Sequence, residues 1–320
     1  MIKGLLPLLL VLSAPASASK PLPLVDLTDD FTAVWDESAS LDEAGRLAAF
    51  KARFSTLLPG FYSAERVSAE PAKYDEHLLK GLRAFPTQRA GIEDVSHRFA
   101  AMLAPARDSF EAAVGPLGDM PDIYLINSFG EMDGGTRMLG GRSHLVFGAD
   151  MIAKLHGQHN IQPFFHHELF HVYHGSRFEG CEQVWCGLWT EGLATAAAER
   201  LNPGATQAEL LLTFPEPLGA AFDDHPIEAL CLVSGKLGED ASKSALFIGS
   251  KRPNDILPPR IGYFVGYIIA SEAIQQASTR LKAEGKSDAH VLADLAQLGP
   301  EQVRPLIEKT VATMVDCESR

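Results

Sequence analysis

His167-Glu168-Leu169-Phe170-His171 is the stretch whose residue types and spacing most directly imply chemistry. On a helix, residues i and i+4 share a face, so both imidazoles can grip one divalent ion. Glu168 stands beside them. From there a carboxylate reaches a water on that ion without becoming a ligand, which suits a proton acceptor. Seven of the eleven histidines fall between positions 144 and 174, so the residue type is concentrated around this motif. Two imidazoles leave zinc short, because a catalytic zinc takes three protein groups and keeps its remaining position open. Twenty residues after His171 comes Glu191, within Trp189-Thr190-Glu191-Gly192-Leu193-Ala194. A carboxylate offered from a second, adjacent helix completes a His-His-Glu site. Thr190 is placed to cap that second helix, and in the competing reading Glu191 is merely a first-turn residue favoured by the helix dipole. The expectation is one Zn2+ per chain, held by His167, His171 and Glu191.

These groups need particular elements to hold them. Pro163 suits a first helical turn, the following apolar residues suit a buried helix, and Gly175 suits its stop, so a helix is predicted over 163–174. Further helices are predicted at about 190–201, 225–235, 260–279, 288–297 and 300–315. Residues 24 to 115 read as all helical, with Pro59-Gly60 and Pro86 marking gaps and Gly115 to Gly118 marking a seam. Between the helical halves, 122–127, 136–139 and 143–147 read as strands of a small, mostly antiparallel sheet. The fold class expected is therefore α+β and mostly α-helical. His166 points away from its neighbour His167 and is left out of the site, as is His174. His144 reads as a surface residue or one facing the cleft, and His225 as a helix start. Thr195, one turn after Glu191, is placed to support that ligand.

Composition narrows the classes. The chain has 320 residues, 46% of them hydrophobic, and a formal charge of −13. That suffices for a packed core and makes a nucleic-acid partner unfavourable. No apolar run reaches the ~18 residues of a membrane span. A basic start, the apolar stretch Gly4 to Leu12 and Ala16-Ser17-Ala18 read as a signal peptide over 1–18, implying export to the periplasm or medium. Four cysteines in an exported chain suggest disulfides, with Cys181–Cys186 and Cys231–Cys317 the expected pairing of three possible. The region 19–118 is then a helical N-terminal part packed on a core of 119–320.

His167-Glu168-x-x-His171 followed by Trp189-Thr190-Glu191-Gly192-Leu193-Ala194 resembles the gluzincins, the thermolysin-like clan of zinc metallopeptidases. More narrowly it is similar to a bacterial exported family of predicted zinc-dependent proteases with unknown substrates. That family adds a later Gly-Tyr-x-x-Gly-Tyr segment, here Gly262-Tyr263-Phe264-Val265-Gly266-Tyr267. The likeness covers about 120 to 275, and the segment with Cys181 and Cys186 departs from it. The elongated metzincin pattern fails, because His174 and Arg177 stand where a Gly and a His are needed. The resemblance implies a zincin-like core, a peptide or protein substrate, and hydrolysis with Glu168 as general base. It also implies an oxyanion donor, for which Tyr263 comes first, Tyr267 second and Arg260 third. The rival expectation is a non-catalytic zinc-binding periplasmic or secreted protein that keeps the fold. Another zinc-dependent hydrolysis is a further alternative.

Overall fold

The computed structural model describes residues 22–317 except 158, 176, 177, 179, 249 and 250. The signal-peptide reading of 1–18 lies outside the described residues. The described residues open with a short strand, β1 (Leu24–Asp26), and continue through α1 (Thr28–Glu37), α2 (Glu43–Leu57) and α3 (Pro71–Ala113). Then come β2 (Ile123–Ile126), β3 (Thr136–Leu139), β4 (Arg142–Gly148) and α4 (Ala149–His156). The remainder is helical: α5 (Gln162–His174), α6 (Val184–Leu201), α7 (Leu218–Asp224), α8 (Pro226–Ser234), α9 (Ile261–Ala283), α10 (Val291–Ala296) and α11 (Pro300–Met314). The described residues are thus mostly helical, with one small sheet among them.

That sheet differs from the expected one. Its order is β1-β2-β4-β3; β1 and β4 both run parallel to β2, and only β3 is antiparallel. The physical reason lies in the connections. Parallel neighbours need a long crossover, and α1 to α3 supply one between β1 and β2. The antiparallel pair is the local hairpin, turned by Gly140 and Gly141, both at positive φ. β1 also corrects the all-helical reading of the N-terminal half: Leu24, Val25 and Asp26 pair with Ile123, Tyr124 and Leu125. Three extended residues are too few to show a period of their own.

Pro86 does not separate two helices. α3 runs 43 residues through both Pro86 and Pro105. An interior proline costs about 3 kcal/mol of helix stability. Burial of the stripe Leu82, Phe85, Ile92, Val95, Phe99, Leu103 and Phe110 outweighs it. This long helix braces α5: the Phe99 and Phe165 rings meet edge-on at 5.5 Å, and Phe110 meets Phe170 at 6.3 Å. The buried apolar residues form one continuous core from Leu27 to Val311.

Two disulfides close, Cys181–Cys186 tying the segment before α6 to the first turn of α6 and Cys231–Cys317 joining α8 to the segment after α11. Such bonds belong to proteins matured in an oxidising compartment. No helix among the described residues is long and apolar enough to cross a membrane.

Candidate metal centre

α5 starts with Pro163 in its first turn and is buried on most of its circumference by Phe164, Phe165, Leu169 and Phe170. Its remaining face carries His167 and His171 into a cleft of about 1080 Å³. α6 packs against both α5 and α9 and delivers Glu191 to the same point. The two Nε2 atoms are 3.0 Å apart, and the Glu191 Oε2 is 3.3 Å from His167 and 3.5 Å from His171. Four-coordinate zinc with bonds of about 2.0–2.1 Å spaces its ligand atoms by about 3.3 Å, so this donor set fits that ion. Among the described residues, this is the group of three or more His, Cys, Asp and Glu side chains that could hold a metal.

The site is electrostatically coupled. Burial disfavours the charged form of His171, but the Glu191 carboxylate outweighs it and pushes the imidazole up to about 9. Burial likewise opposes the Glu191 charge, yet His171 and His167 hold its carboxyl well below the usual range. Both groups are thus poised as a charged pair when no metal competes for them. Glu168 is buried, and its Oε2 has no hydrogen-bond partner. Burial raises its pKa, with His171 and His167 pulling the other way and Asp133 and Glu191 adding to the rise. A carboxylate left without a partner beside two imidazoles is costly unless something else uses it.

Glu191 is not in a first turn. α6 begins at Val184, so Glu191 lies well inside the helix, and Thr190 is no cap: its hydroxyl donates to the Cys186 carbonyl at 2.9 Å. The helix-dipole explanation of Glu191 therefore fails. Thr195 supports the site differently than expected. Its hydroxyl donates to the Glu191 backbone carbonyl at 2.8 Å and lies 3.3 Å from the His167 Nδ1, so it steadies an imidazole rather than the Glu191 carboxylate.

The helices meet so closely because of glycines. A Cβ on Gly192 would lie 2.2 Å from the Gly266 backbone, and one on Gly266 would lie 2.5 Å from the Leu188 carbonyl oxygen. This crossing lets α9 bring Tyr263 into the cleft. The Glu191 charge and then burial keep the Tyr263 phenol protonated far above neutral pH, with Arg260 opposing. Tyr267, one turn on, is outside the cleft; burial and a hydrogen bond with Glu199 push it up to about 12. Arg260 lines the cleft at the start of α9.

The other histidines separate cleanly. His166 fastens three elements: its Nε2 lies 3.1 Å from the Ala106 carbonyl and 2.9 Å from the Ser109 hydroxyl, while Asn202 donates to its Nδ1 at 2.7 Å. His174 is fully buried between the Phe170 and Phe178 rings. His144 is neither on the surface nor in the cleft; it is buried on β4 against the Tyr124 ring. His225 starts α8 as expected.

One residue not singled out from sequence, Asp133, completes the wall, and His156 and Asp150 hold it in place. Asp133 lines the cleft, and its Oδ2 is 3.0 Å from the His156 Nε2. The loop carrying it is pinned by buried Asp150, which accepts from the Ser128 and Gly130 amides at 2.6 and 2.7 Å. Nothing in the spacing of Asp133, His156 and Asp150 announces these contacts. No protein-family model, curated protein or solved structure matches this chain.

Proposed function

We propose that the protein is an exported zinc metallopeptidase of the gluzincin type. The observation that carries this is the convergence of the His167, His171 and Glu191 donor atoms beside a buried carboxylate, Glu168, with an unpartnered oxygen. His167, His171 and Glu191 would hold the ion. Zinc bound there supplies Lewis acidity, acidifying water and polarising a carbonyl.

Glu168 then takes the proton of the attacking water and returns it to the leaving amine. Burial suits it, because a raised pKa brings the acid and base forms closer in energy near neutral pH. Tyr263 keeps its proton and can donate to the oxyanion of the tetrahedral intermediate. Thr195 holds His167 in one ring orientation. β3 is the edge strand, and Gly135, Thr136, Arg137 and Met138 line the cleft. Gly135 turns its carbonyl to Val146 of β4, so the alternate residues Thr136 and Met138 offer their main-chain groups outward. An extended peptide added to that edge would run past the metal centre.

A purely structural metal site has no use for Glu168, which weighs against the non-catalytic alternative. The test is incubation of zinc-loaded protein with casein and a peptide library, beside Glu168→Gln. Cleavage by the parent protein alone is expected. Absence of cleavage by zinc-loaded protein on every peptide would refute the peptidase reading.

A further inference from the structure

Among the described residues, three arginines line the cleft. Arg137 lies 3.7 Å from Glu131 and Arg142 lies 3.9 Å from Asp122. Arg260 differs, since among the described residues no carboxylate comes within ion-pair distance of it. Its guanidinium is nonetheless held firmly. Nη1 donates to the Phe214 carbonyl at 3.2 Å, and the group stacks over the Tyr263 ring at 4.2 Å. Stacking fixes the plane of the guanidinium and, with Nη1 engaged by Phe214, leaves the edge formed by Nε and Nη2 to make a fork. Of the other carboxylates lining the cleft, Glu191 is taken by the two imidazoles, Asp133 by His156, and Glu209 by Thr206 and Asn160, while Glu168 and Asp119 form no ion pair with Arg260.

The backbone here is strained as well. Arg260 has φ of 64° and Leu211, also in the cleft, φ of 55°, a region that residues other than glycine seldom occupy. The contact to Phe214 ties these two strained segments together. Strain held in place by surrounding structure is a mark of groups oriented for a task. An oriented, partly exposed cation with no counter-charge among the described residues is available to an anion that enters the cleft.

We infer that Arg260 is the receptor for a carboxylate on the substrate, placed next to the scissile bond. The inference rests on the peptidase reading for the nature of the substrate. The carboxylate comes from one of two sources, a free peptide C-terminus or an Asp or Glu side chain. In either case two parallel N–H···O bonds form between guanidinium and carboxylate.

The test measures binding, so it is independent of turnover. Calorimetry on zinc-loaded protein compares N-acetyl-Gly-Phe-Leu acid with its C-terminal amide, and N-acetyl-Gly-Phe-Glu-Leu amide with the Gln counterpart. One acid is expected to bind about 10–100-fold more tightly than its neutral partner, the range for a lost charge-assisted pair. The pair showing the preference identifies the source. Arg260→Lys keeps the charge but loses the fork, and should lose most of the preference with zinc per chain unchanged. Equal binding of acid and neutral forms in both pairs overturns the inference. A preference that survives in Arg260→Gln, which carries no charge, also overturns it, because another group would then be holding the carboxylate. If no peptide is ever cleaved but the Arg260-dependent preference is found, the peptidase reading falls and the carboxylate site stands.

Discussion

Replacing Gly192 with Ala perturbs the centre without touching any metal donor. The new Cβ would lie 2.2 Å from the Gly266 carbonyl carbon and oxygen, which are backbone atoms and cannot swing aside. Restoring ordinary contact requires α6 and α9 to part by about 1 Å in a densely packed interior. Overpacking of that kind costs about 1–3 kcal/mol. The displacement also reaches the site, since Glu191 precedes Gly192 on α6 and Tyr263 lies one turn before Gly266 on α9. A misplacement of about 1 Å in a catalytic constellation costs on the order of 10²-fold in rate. Gly187→Ala is the control on the same helix, because the atoms nearest its Cβ belong to the Phe247 side chain, at 3.0 Å, and not to backbone. Thermal unfolding, zinc per chain and peptide turnover are measured for both variants. Gly192→Ala should unfold several degrees lower, hold zinc more weakly and turn over about 10²-fold more slowly, with Gly187→Ala close to the parent. A Gly192→Ala protein unchanged in all three would refute the argument that this crossing sets the site.

Glu168→Gln should keep its zinc and lose about 10²–10⁴-fold in turnover, whereas Glu191→Gln should lose zinc as well; undiminished turnover in Glu168→Gln would count against the general base. Without metal, the Glu191 carboxylate is lowered and the His171 imidazole raised to about 9. The stability from Glu191 is present above its ordinary 4.5 and is lost as pH falls through its lowered folded value. The stability from His171 is complete below its ordinary 6.5 and is lost as pH rises through about 9. Zinc must displace the His171 proton, so its affinity should rise between these two His171 values, by up to about tenfold per pH unit; a chelator competition flat over that window contradicts this. Removing Cys231–Cys317, which spans 86 residues of chain, should cost about 4–5 kcal/mol in denaturant unfolding, and an unchanged midpoint would show that the bond contributes nothing.

How far the sequence reached depended on whether the signal was local. The span of α5 was legible because Pro163, its apolar faces and Gly175 all lie within one stretch. His167, Glu168 and His171 were legible for the same reason. Glu191 was reachable from chemistry, but the start of its helix was not. Thr190 looks like a cap, while Val184, Trp185 and Cys186 already belong to the helix and carry no start signal of their own. The sheet was misjudged because pairing across α1 to α3 leaves no mark in either short strand. Gly266 was visible as part of a motif, but its partner Gly192 has meaning only once α6 and α9 cross. The displacement of Tyr267 from the cleft, the burial of His144 and the pairing of Asp133 with His156 are likewise tertiary facts. The pattern of residue types does not encode them.

Metal analysis of the purified protein after dialysis, with His171→Ala beside it, tests the centre most directly. One zinc per chain is expected in the parent, and His171→Ala, with one of three donors removed, should be nearly empty. A parent protein that carries no zinc and takes none up, or a His171→Ala protein that holds as much as the parent, would contradict the account.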